Sequence, residues 1–255
     1  MSYEGYFARY YDQLNADCDY EAIADYYQQL FSRWGLSPQL VLELGCGSGN
    51  VTLPMAQRGY DMIGLDLSPE MLQLAREKAA AASREDILLL CQDMTDFELY
   101  GTVEAVICAL DGINYLTDKR DLLRCFRLTS LYLEQGGLFV FDVNTPYKFE
   151  KVLADNVFLY DLEDVYCIWQ NHYEKRSGLC RFDLTLFGRE GEAYRRYEES
   201  QVERSYETQE LKTLLQKAGF RLEAVYHEGT LGRPRPTSER LYYVARKINR
   251  TGECK

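Results

Sequence analysis

The stretch VLELGCGSGN, at residues 41–50, decides the fold. Hydrophobic residues, interrupted only by Glu43, lead directly into glycines at positions 45, 47 and 49. This pattern predicts a buried strand, a tight turn and the start of a helix. Glycine adopts backbone conformations that other residues avoid, and it lets a ligand approach main-chain atoms closely. The stretch therefore predicts a nucleotide-type binding site at the end of a strand.

A second stretch, IGLDLSPEML at residues 63–72, indicates which kind of nucleotide. A hydrophobic strand ends at Asp66, and Ser68 and Pro69 have the residue types that cap and begin a helix. Asp66 lies 21 residues after Gly45, at the place from which a carboxylate can bind ribose hydroxyls. The glycines run GxGxG rather than in the GxGxxG order of dinucleotide sites, and the turn has no lysine of a phosphate-binding loop.

These two segments together resemble the class I methyltransferases that use S-adenosylmethionine. Their motif is a strand that ends in an acidic residue and GxGxG, followed by a strand that ends in an acidic ribose ligand. The resemblance covers essentially the whole chain and implies methyl transfer by in-line displacement, with S-adenosylhomocysteine as a product. The opening tyrosines, the NYL at residues 114–116 and an insert are most similar to small bacterial enzymes akin to glycine and sugar-amine N-methyltransferases.

The resemblance implies a set of cofactor-binding residues. Glu43 and the glycine turn would hold the methionine portion, with the carboxylate meeting its ammonium group. Asp66 would bind the ribose with Leu67 against the adenine, and Asp93 and Met94 would fix the edge of the base. A simpler interpretation of Asp93, as a cap of the following turn, stays open. The remaining implied residues are Tyr6, Tyr11, Gly45, Cys46, Gly47, Gly49, Met71 and Leu110.

The acceptor side is expected to follow the fourth strand, EAVICAL at residues 104–110. In the family this strand end lies beside the methyl-bearing sulfur, which makes Asp111 and Tyr115 the candidate catalytic residues. Asp111 is the preferred candidate base, because His172 lies in a predicted insert strand where a structural role is more common. The candidate substrate-binding residues are Asn114, Trp169, Arg196 and Tyr197.

Strands and helices alternate up to residue 143, which predicts a parallel, doubly wound sheet with ligands at the carboxyl ends of its strands. The expected fold is α/β, with a Rossmann-like, seven-stranded, mostly parallel sheet and a C-terminal antiparallel strand. Three alternating segments within residues 157–206 predict a small three-stranded antiparallel lid. The expected division is a helical cap at 1–36, a cofactor-binding core at 37–150 and 207–250, and the lid at 157–206.

Composition narrows the range of partners. The 255 residues include 40 acidic and 29 basic side chains, for a net charge of −11. This balance favours a small or cationic acceptor and makes nucleic acid an improbable partner. Eight cysteines without a CxxC pair, and two histidines without ligand-spaced neighbours, favour a reducing, cytoplasmic setting and no metal site. The sequence shows neither a signal peptide nor a membrane span, and it leaves the oligomeric state, monomer or dimer, open.

Several alternatives remain at this stage. A metal-assisted O-methyltransferase could use Asp111, Asp142 and Asn144 as ligands. An RNA or protein methyltransferase is another alternative, although LDGINY stands where nucleic-acid amino-methyltransferases carry Asn/Asp-Pro-Pro-Tyr/Phe. A non-catalytic cofactor sensor or docking protein and an NAD-dependent oxidoreductase complete the set.

Overall fold

Two β-sheets organise the computed structural model of the protein, which describes residues 5–248. The strands are β1 (Leu40–Leu44), β2 (Asp61–Asp66), β3 (Leu88–Cys91), β4 (Val103–Cys108), β5 (Leu133–Asn144), β6 (Val157–Asp161), β7 (Val165–Glu174), β8 (Leu179–Glu190), β9 (Ala193–Arg204), β10 (Phe220–His227) and β11 (Arg240–Lys247). The helices are α1 (Gly5–Leu14), α2 (Tyr20–Arg33), α3 (Thr52–Gln57), α4 (Pro69–Ala81), α5 (Lys119–Tyr132) and α6 (Thr208–Lys217). Within residues 5–248, no helix is long and apolar enough to cross a membrane.

The larger sheet has seven strands in the order β10-β11-β5-β4-β1-β2-β3. Strand β1 runs parallel to β2 and β4, and β5 runs parallel to β4. Strand β11 is antiparallel to both of its neighbours, β5 and β10. The predicted fold class, with a mostly parallel sheet and a C-terminal antiparallel strand, is confirmed.

Helices cover both faces of this sheet because alternate side chains of its central strands point to opposite faces. Leu42 of β1 belongs to one buried cluster with Phe126 of α5. Its neighbour Val41 belongs to the other cluster, with Tyr27 of α2 and Met55 of α3. Each such fully buried side chain contributes roughly 1.5–3 kcal/mol relative to an exposed one. The hydrophobic run at residues 40–44, interrupted only by Glu43, is therefore the sequence signal of a strand buried on both faces.

The helix starts follow the expected chemistry. The Ser68 hydroxyl accepts a hydrogen bond from the Met71 amide at 3.3 Å, and Pro69 is the first residue of α4. Asp19 accepts from the Ala22 amide at 2.9 Å at the start of α2. Capping in this way satisfies amides that have no partner inside the helix. The cap of α4 matters most for the site, because it fixes the chain directly after Asp66.

The smaller sheet corrects the sequence-based expectation. It has four antiparallel strands in the order β6-β7-β8-β9, where three were expected. The missed strand, β6, is a short edge strand whose sequence VFLYD is apolar on both faces, so the alternation that identifies a strand is hidden. Val157 and Leu159 are exposed, while Phe158 and Tyr160 pack toward the interior of the insert.

Helix α1 packs against this insert. Phe7 and Tyr10 are buried in the same cluster as Phe182 and Leu184 of β8. At Gly188 of β8 the approach is so close that an added Cβ would lie 2.3 Å from the Tyr10 hydroxyl oxygen. The N-terminal helix and the insert therefore share one hydrophobic core.

We expect Gly188→Ala to lower the free energy of unfolding by about 1–3 kcal/mol, because the new methyl group would overlap the buried ring of Tyr10. Urea denaturation measures the change. Gly101→Ala is the matched control, since a Cβ at Gly101 meets nothing within 4 Å. Equal stability of the two variants would contradict the packing of α1 against β8.

Candidate active site

A cavity of about 430 Å³ lies at the carboxyl ends of β1, β2 and β4, and strand β9 of the insert forms its opposite wall. This is the edge of the sheet at which ligands bind in open α/β folds. Eleven of the residues singled out in the sequence contribute to the wall: Tyr11, Glu43, Gly45, Cys46, Gly47, Asp66, Leu67, Asp93, Met94, Leu110 and Tyr115.

The glycine turn after β1 forms the floor of the cavity. Gly45 and Gly47 have φ values of 68° and 53°, which side-chain-bearing residues rarely adopt. Gly49 also has a positive φ, but an added Cβ there would lie 3.1 Å from Ala75 Cβ in α4. Gly49 therefore serves the close approach of a helix and lies outside the cavity wall.

Asp66 joins the two signature segments at the end of β2. Its Oδ2 accepts a hydrogen bond from the Gly47 amide at 2.8 Å, and its Oδ1 accepts from the Ser68 amide at 2.8 Å. Burial raises the pKa of Asp66, while these two amides oppose the shift. A carboxylate oxygen can accept more than one hydrogen bond, so the Asp66 oxygens at the cavity wall retain capacity for hydroxyl donors.

Glu43 is the most deeply buried acid of the wall, with 2% of the residue exposed. Its carboxyl group accepts a short hydrogen bond from the Thr52 hydroxyl. Burial raises the pKa of Glu43 to about 8, and the charges of Asp66 and Asp142 add to the increase. Within residues 5–248, no lysine or arginine forms an ion pair with it. Such a group favours a cationic ligand, because a positive charge would stabilise its ionised form.

Residues 92–95 follow β3 and close one side of the cavity. Asp93 Oδ1 accepts hydrogen bonds from the amide and the hydroxyl of Thr95, at 2.7 and 2.8 Å. Asp93 therefore caps the turn and also contributes to the wall, so the structure is compatible with both interpretations of this residue. Gln92 and Thr95 join the wall beside it.

Helix α1 closes over the glycine turn through Asp12, a residue that the sequence did not single out. Asp12 Oδ1 accepts hydrogen bonds from Ser48 Oγ at 2.7 Å and Asn50 Nδ2 at 2.8 Å, and its Oδ2 lies 2.5 Å from Lys78 Nζ. Burial opposes ionisation, yet the hydrogen bonds from Lys78, Asn50 and Ser48 lower the pKa of Asp12. Its neighbour Tyr11 contributes to the cavity wall.

The end of the cavity that the sequence predicts for the acceptor, here called the acceptor end, combines the segment after β4 with strand β9. The Tyr115 hydroxyl donates to Gln201 Oε1 at 2.9 Å, and Gln201 Nε2 donates to Glu199 Oε1 at 2.7 Å. Asp121 and Glu198 add two further acidic residues to this end of the wall. Among residues 5–248, the wall includes neither lysine nor arginine. The electrostatic character of this end is therefore negative.

Two of the expected acceptor-side residues take part in structural contacts instead. Asp111 lies 2.5 Å from Arg240 in an ion pair. Asn114 is fully buried, where its Oδ1 accepts from the Asn144 amide at 2.9 Å and its Nδ2 donates to the Arg204 carbonyl at 2.8 Å. These contacts place both side chains behind the wall rather than in it.

The other candidates outside the wall lie in the insert, α1 and α4. Tyr6 and Tyr197 stack on one another with ring centroids 3.9 Å apart. Trp169 packs edge to face against Phe182, and the exposed Arg196 pairs with Glu198. Met71, like Gly49, belongs to the packing of α4. The functional roles of all nineteen candidates remain predictions.

Most residues of the acceptor end were not predicted from the sequence. Thr117 and Asp121 could have been found by extending the expected site past Tyr115, because ligands bind among the loops that follow parallel strands. Residues 198–201 directly follow Arg196 and Tyr197, the candidates predicted in this strand, so the strand was identified and the residues that line the cavity were not. Which residues of β9 reach the cavity depends on how the insert packs over the sheet, which the local sequence does not specify.

Comparisons with known proteins agree with this geometry. Residues 41–137 match the methyltransferase domain family. The chain is 32% identical to a Bacillus subtilis (strain 168) protein that carries the name Putative methyltransferase YqeM, over 97% of this chain and 98% of that protein. A crystal structure of an S-adenosylmethionine-dependent methyltransferase from Clostridium acetobutylicum ATCC 824 superimposes with a TM-score of 0.86 and 30% identity, covering 95% and 98% of the two chains. The sugar N-methyltransferase KedS8 from Streptoalloteichus sp. shares the fold at 21% identity, with a TM-score of 0.76 over 93% and 92% of the chains.

The fold and the glycine turn define a class I methyltransferase, an enzyme whose cofactor is S-adenosylmethionine. The chain belongs to the same methyltransferase family as the Bacillus subtilis protein, with which it aligns over nearly its whole length.

The raised pKa of Glu43 predicts that cofactor binding releases a proton from this residue. With a pKa of about 8, the free protein holds this carboxyl group largely protonated at pH 7, and the ammonium group of a bound cofactor product would favour its ionised form. We expect S-adenosylhomocysteine binding at pH 7 to release up to about one proton from the wild type and none from Glu43→Gln. Titration calorimetry in buffers of different ionisation enthalpy counts these protons.

The surface variant Glu77→Gln is the control and should release as many protons as the wild type.

The raised pKa of Glu43 also predicts how stability depends on pH. The pKa of Glu43 is raised from 4.5 to about 8, so ionisation destabilises the folded free protein and stability should fall as the pH rises through that window. Glu43→Gln should reduce this slope. Equal proton counts in the wild type and Glu43→Gln would contradict the assignment.

Proposed function

We propose that the protein transfers a methyl group from S-adenosylmethionine to an amine nitrogen of a small molecule. The observation that carries this proposal is the acidic acceptor end of the cavity, where Asp121 and Glu199 contribute to the wall beside Glu198, which pairs with Arg196. A cavity of about 430 Å³ suits a small ligand. A negative wall attracts an ammonium group and disfavours a phosphate-rich polymer.

The residues present fit the cofactor. Glu43, buried and without a cationic partner among residues 5–248, would hold its ammonium group. Asp66 would hold the ribose hydroxyls, and Asp93 and Met94 would lie along the edge of the base. When bound, S-adenosylmethionine supplies an electrophilic methyl group on a sulfonium that is already an activated leaving group. The protein must therefore mainly orient its two ligands, which can lower a barrier by about 7–11 kcal/mol.

A protonated amine has no free electron pair, so it must lose a proton before its nitrogen can attack a methyl carbon. Carboxylates at the acceptor end attract the protonated amine and can accept that proton. The side-chain Nε2 of Gln201 donates a hydrogen bond to the Glu199 carboxylate. The side-chain Oε1 of the same Gln201 accepts a hydrogen bond from the Tyr115 hydroxyl. This pair of hydrogen bonds orients Tyr115 and Glu199 together at one end of the cavity. We therefore assign acceptor positioning to Tyr115 and Glu199 rather than to Asp111.

One of the structures that share the fold is consistent with an amine acceptor. KedS8, which shares the fold, is described as a sugar N-methyltransferase. An aminated sugar is a small, polar cation at neutral pH, and this chemistry is complementary to the polar and acidic residues of β9. We include aminated sugars among the acceptor classes for that reason.

The geometry gives less support to the metal-assisted alternative. The two carboxylates considered as ligands, Asp111 and Asp142, both bind the guanidinium group of Arg240. The third candidate, Asn144, accepts through its Oδ1 a hydrogen bond from Lys148 Nζ at 2.9 Å. Positively charged side chains thus occupy the positions that a cation would need.

The test is to incubate the purified enzyme with methyl-labelled S-adenosylmethionine and separate panels of aliphatic amines, aminated sugars, alcohols, RNA and protein. We expect label in one of the amine panels, because the acceptor end favours a small cation. Catechol-type alcohols with added Mg²⁺ test the metal-assisted alternative. Label only in alcohols, RNA or protein would contradict the proposed acceptor class while leaving the methyltransferase activity intact.

Tyr115→Phe tests the acceptor end directly. The variant keeps the ring and removes the hydrogen bond to Gln201, so we expect kcat with the identified amine to fall by about 10-fold or more through lost orientation. The affinity for S-adenosylhomocysteine should change little. Tyr100→Phe is the matched control, because Tyr100 is fully exposed. Equal kcat values for the two variants would argue against a role for the Tyr115 hydroxyl.

A further inference from the structure

The turn directly after β4 has an uncommon backbone. Leu110 and Asp111 have φ values of 53° and 59°, in the left-handed region that residues with side chains seldom adopt. Such conformations persist where the surrounding structure enforces them, and they concentrate at functional sites. This turn is part of the cavity, because Ala109, Leu110 and Gly112 all contribute to the wall.

The carboxylate of Asp142, at the end of the neighbouring strand β5, holds the turn in this shape. Its Oδ1 accepts a hydrogen bond from the Leu110 amide at 2.8 Å, and its Oδ2 accepts from the Asp111 amide at 2.9 Å. Asp142 is completely buried. Two consecutive amides that converge on one carboxylate fix the direction of the chain where it leaves the strand.

Arg240, at the start of β11, completes this arrangement. Its Nη1 binds Asp142 and its Nη2 lies 2.5 Å from Asp111 Oδ1, while its Nε lies 3.5 Å from Glu228. The arginine side chain is only 10% exposed. One planar guanidinium group thus binds both the carboxylate that holds the turn and a side chain of the turn itself. A lysine has a single ammonium group and cannot present this fork.

The turn continues into the residues of the acceptor end. The backbone N–H of Asn114 donates a hydrogen bond to the backbone carbonyl oxygen of Asp111 at 2.7 Å. This bond begins the short helical turn Gly112–Tyr115. The turn has little freedom to readjust, since an added Cβ at Gly112 would lie 2.7 Å from Cys108 Sγ. The position of Tyr115 in the cavity therefore depends on the shape of the chain at Leu110 and Asp111.

We propose that Arg240 is a positioning residue of the cavity: through Asp142 and Asp111 it sets the left-handed turn that places Leu110 against the cofactor half and Tyr115 at the acceptor half. Arg240 itself does not belong to the wall. Its loss should therefore change ligand binding as well as stability, whereas a purely structural ion pair would change stability alone.

The experiment compares Arg240→Lys with Arg246→Lys. Arg246 lies on the same strand and has a comparably enclosed side chain, 21% exposed, that binds Glu223 and the carbonyls of Gly136 and Trp34. It lies outside the cavity wall. Both substitutions keep the positive charge and remove a guanidinium fork. Thermal unfolding of each variant and calorimetric titration with S-adenosylhomocysteine provide independent measures of stability and binding, without any methyl acceptor.

We expect Arg240→Lys to weaken S-adenosylhomocysteine binding by about 10-fold, because a displaced turn misplaces cavity-wall atoms. Arg246→Lys should lower the melting temperature and leave the affinity within about twofold of the wild type. Arg240→Gln, without the charge, should weaken binding at least as much as Arg240→Lys. Wild-type affinity in Arg240→Lys would overturn the proposal, as would equal losses of affinity in the two lysine variants.

Discussion

The structure depends on how it compensates the carboxylates buried at the carboxyl edge of the large sheet. Removing an ion from water destabilises a protein by several kcal/mol unless hydrogen bonds and opposite charges replace the solvent. Asp142 receives two backbone amides and a guanidinium group. Asp66 receives two amides. Glu43 receives the hydroxyl of Thr52, and burial raises its pKa to about 8.

The partners of these three carboxylates distinguish an acid with a structural role from acids that are available to a ligand. Asp142 is fully engaged by the protein and shapes a turn. Asp66 holds the glycine turn to the start of α4 and still reaches the cavity. Of these three, Glu43 is the carboxylate whose ionised form the protein compensates least, so a cationic ligand has more to contribute there than at Asp66 or Asp142. The same chemical group thus serves three purposes, which differ in the donors that surround it.

Most of the fold could be predicted from sequence because its signals are local. The hydrophobic run before Gly45, the cap at Ser68 and the alternation within β7 and β8 each depend on neighbouring residues alone. The strand β6 was missed because its apolar residues lie on both faces. Asp111 was expected to act as a base because it follows the fourth strand. Its observed partner, Arg240, lies 129 positions further along the chain, and no local pattern could reveal that contact.

The two halves of the cavity also differ in how well the sequence predicts them. Two consecutive strand-and-turn segments build the glycine turn and Asp66, so the cofactor half could be predicted from residues 41–72. The acceptor half brings Tyr115 and Asp121 together with residues 198–201, and this requires the insert to fold back over the sheet. Sequence changes in β9 can therefore alter the acceptor wall while leaving the cofactor motif intact.

Helix α1 connects the two halves of the cavity. At one end it is joined to the insert, where Tyr6 stacks on Tyr197 and Tyr10 packs against Gly188. At the other it is joined to the glycine turn through the hydrogen bonds of Asp12 to Ser48 and Asn50. A shift of the insert that made room for a larger acceptor would strain one of these attachments. One helix therefore contacts both the insert and the glycine turn, which joins the two halves of the cavity.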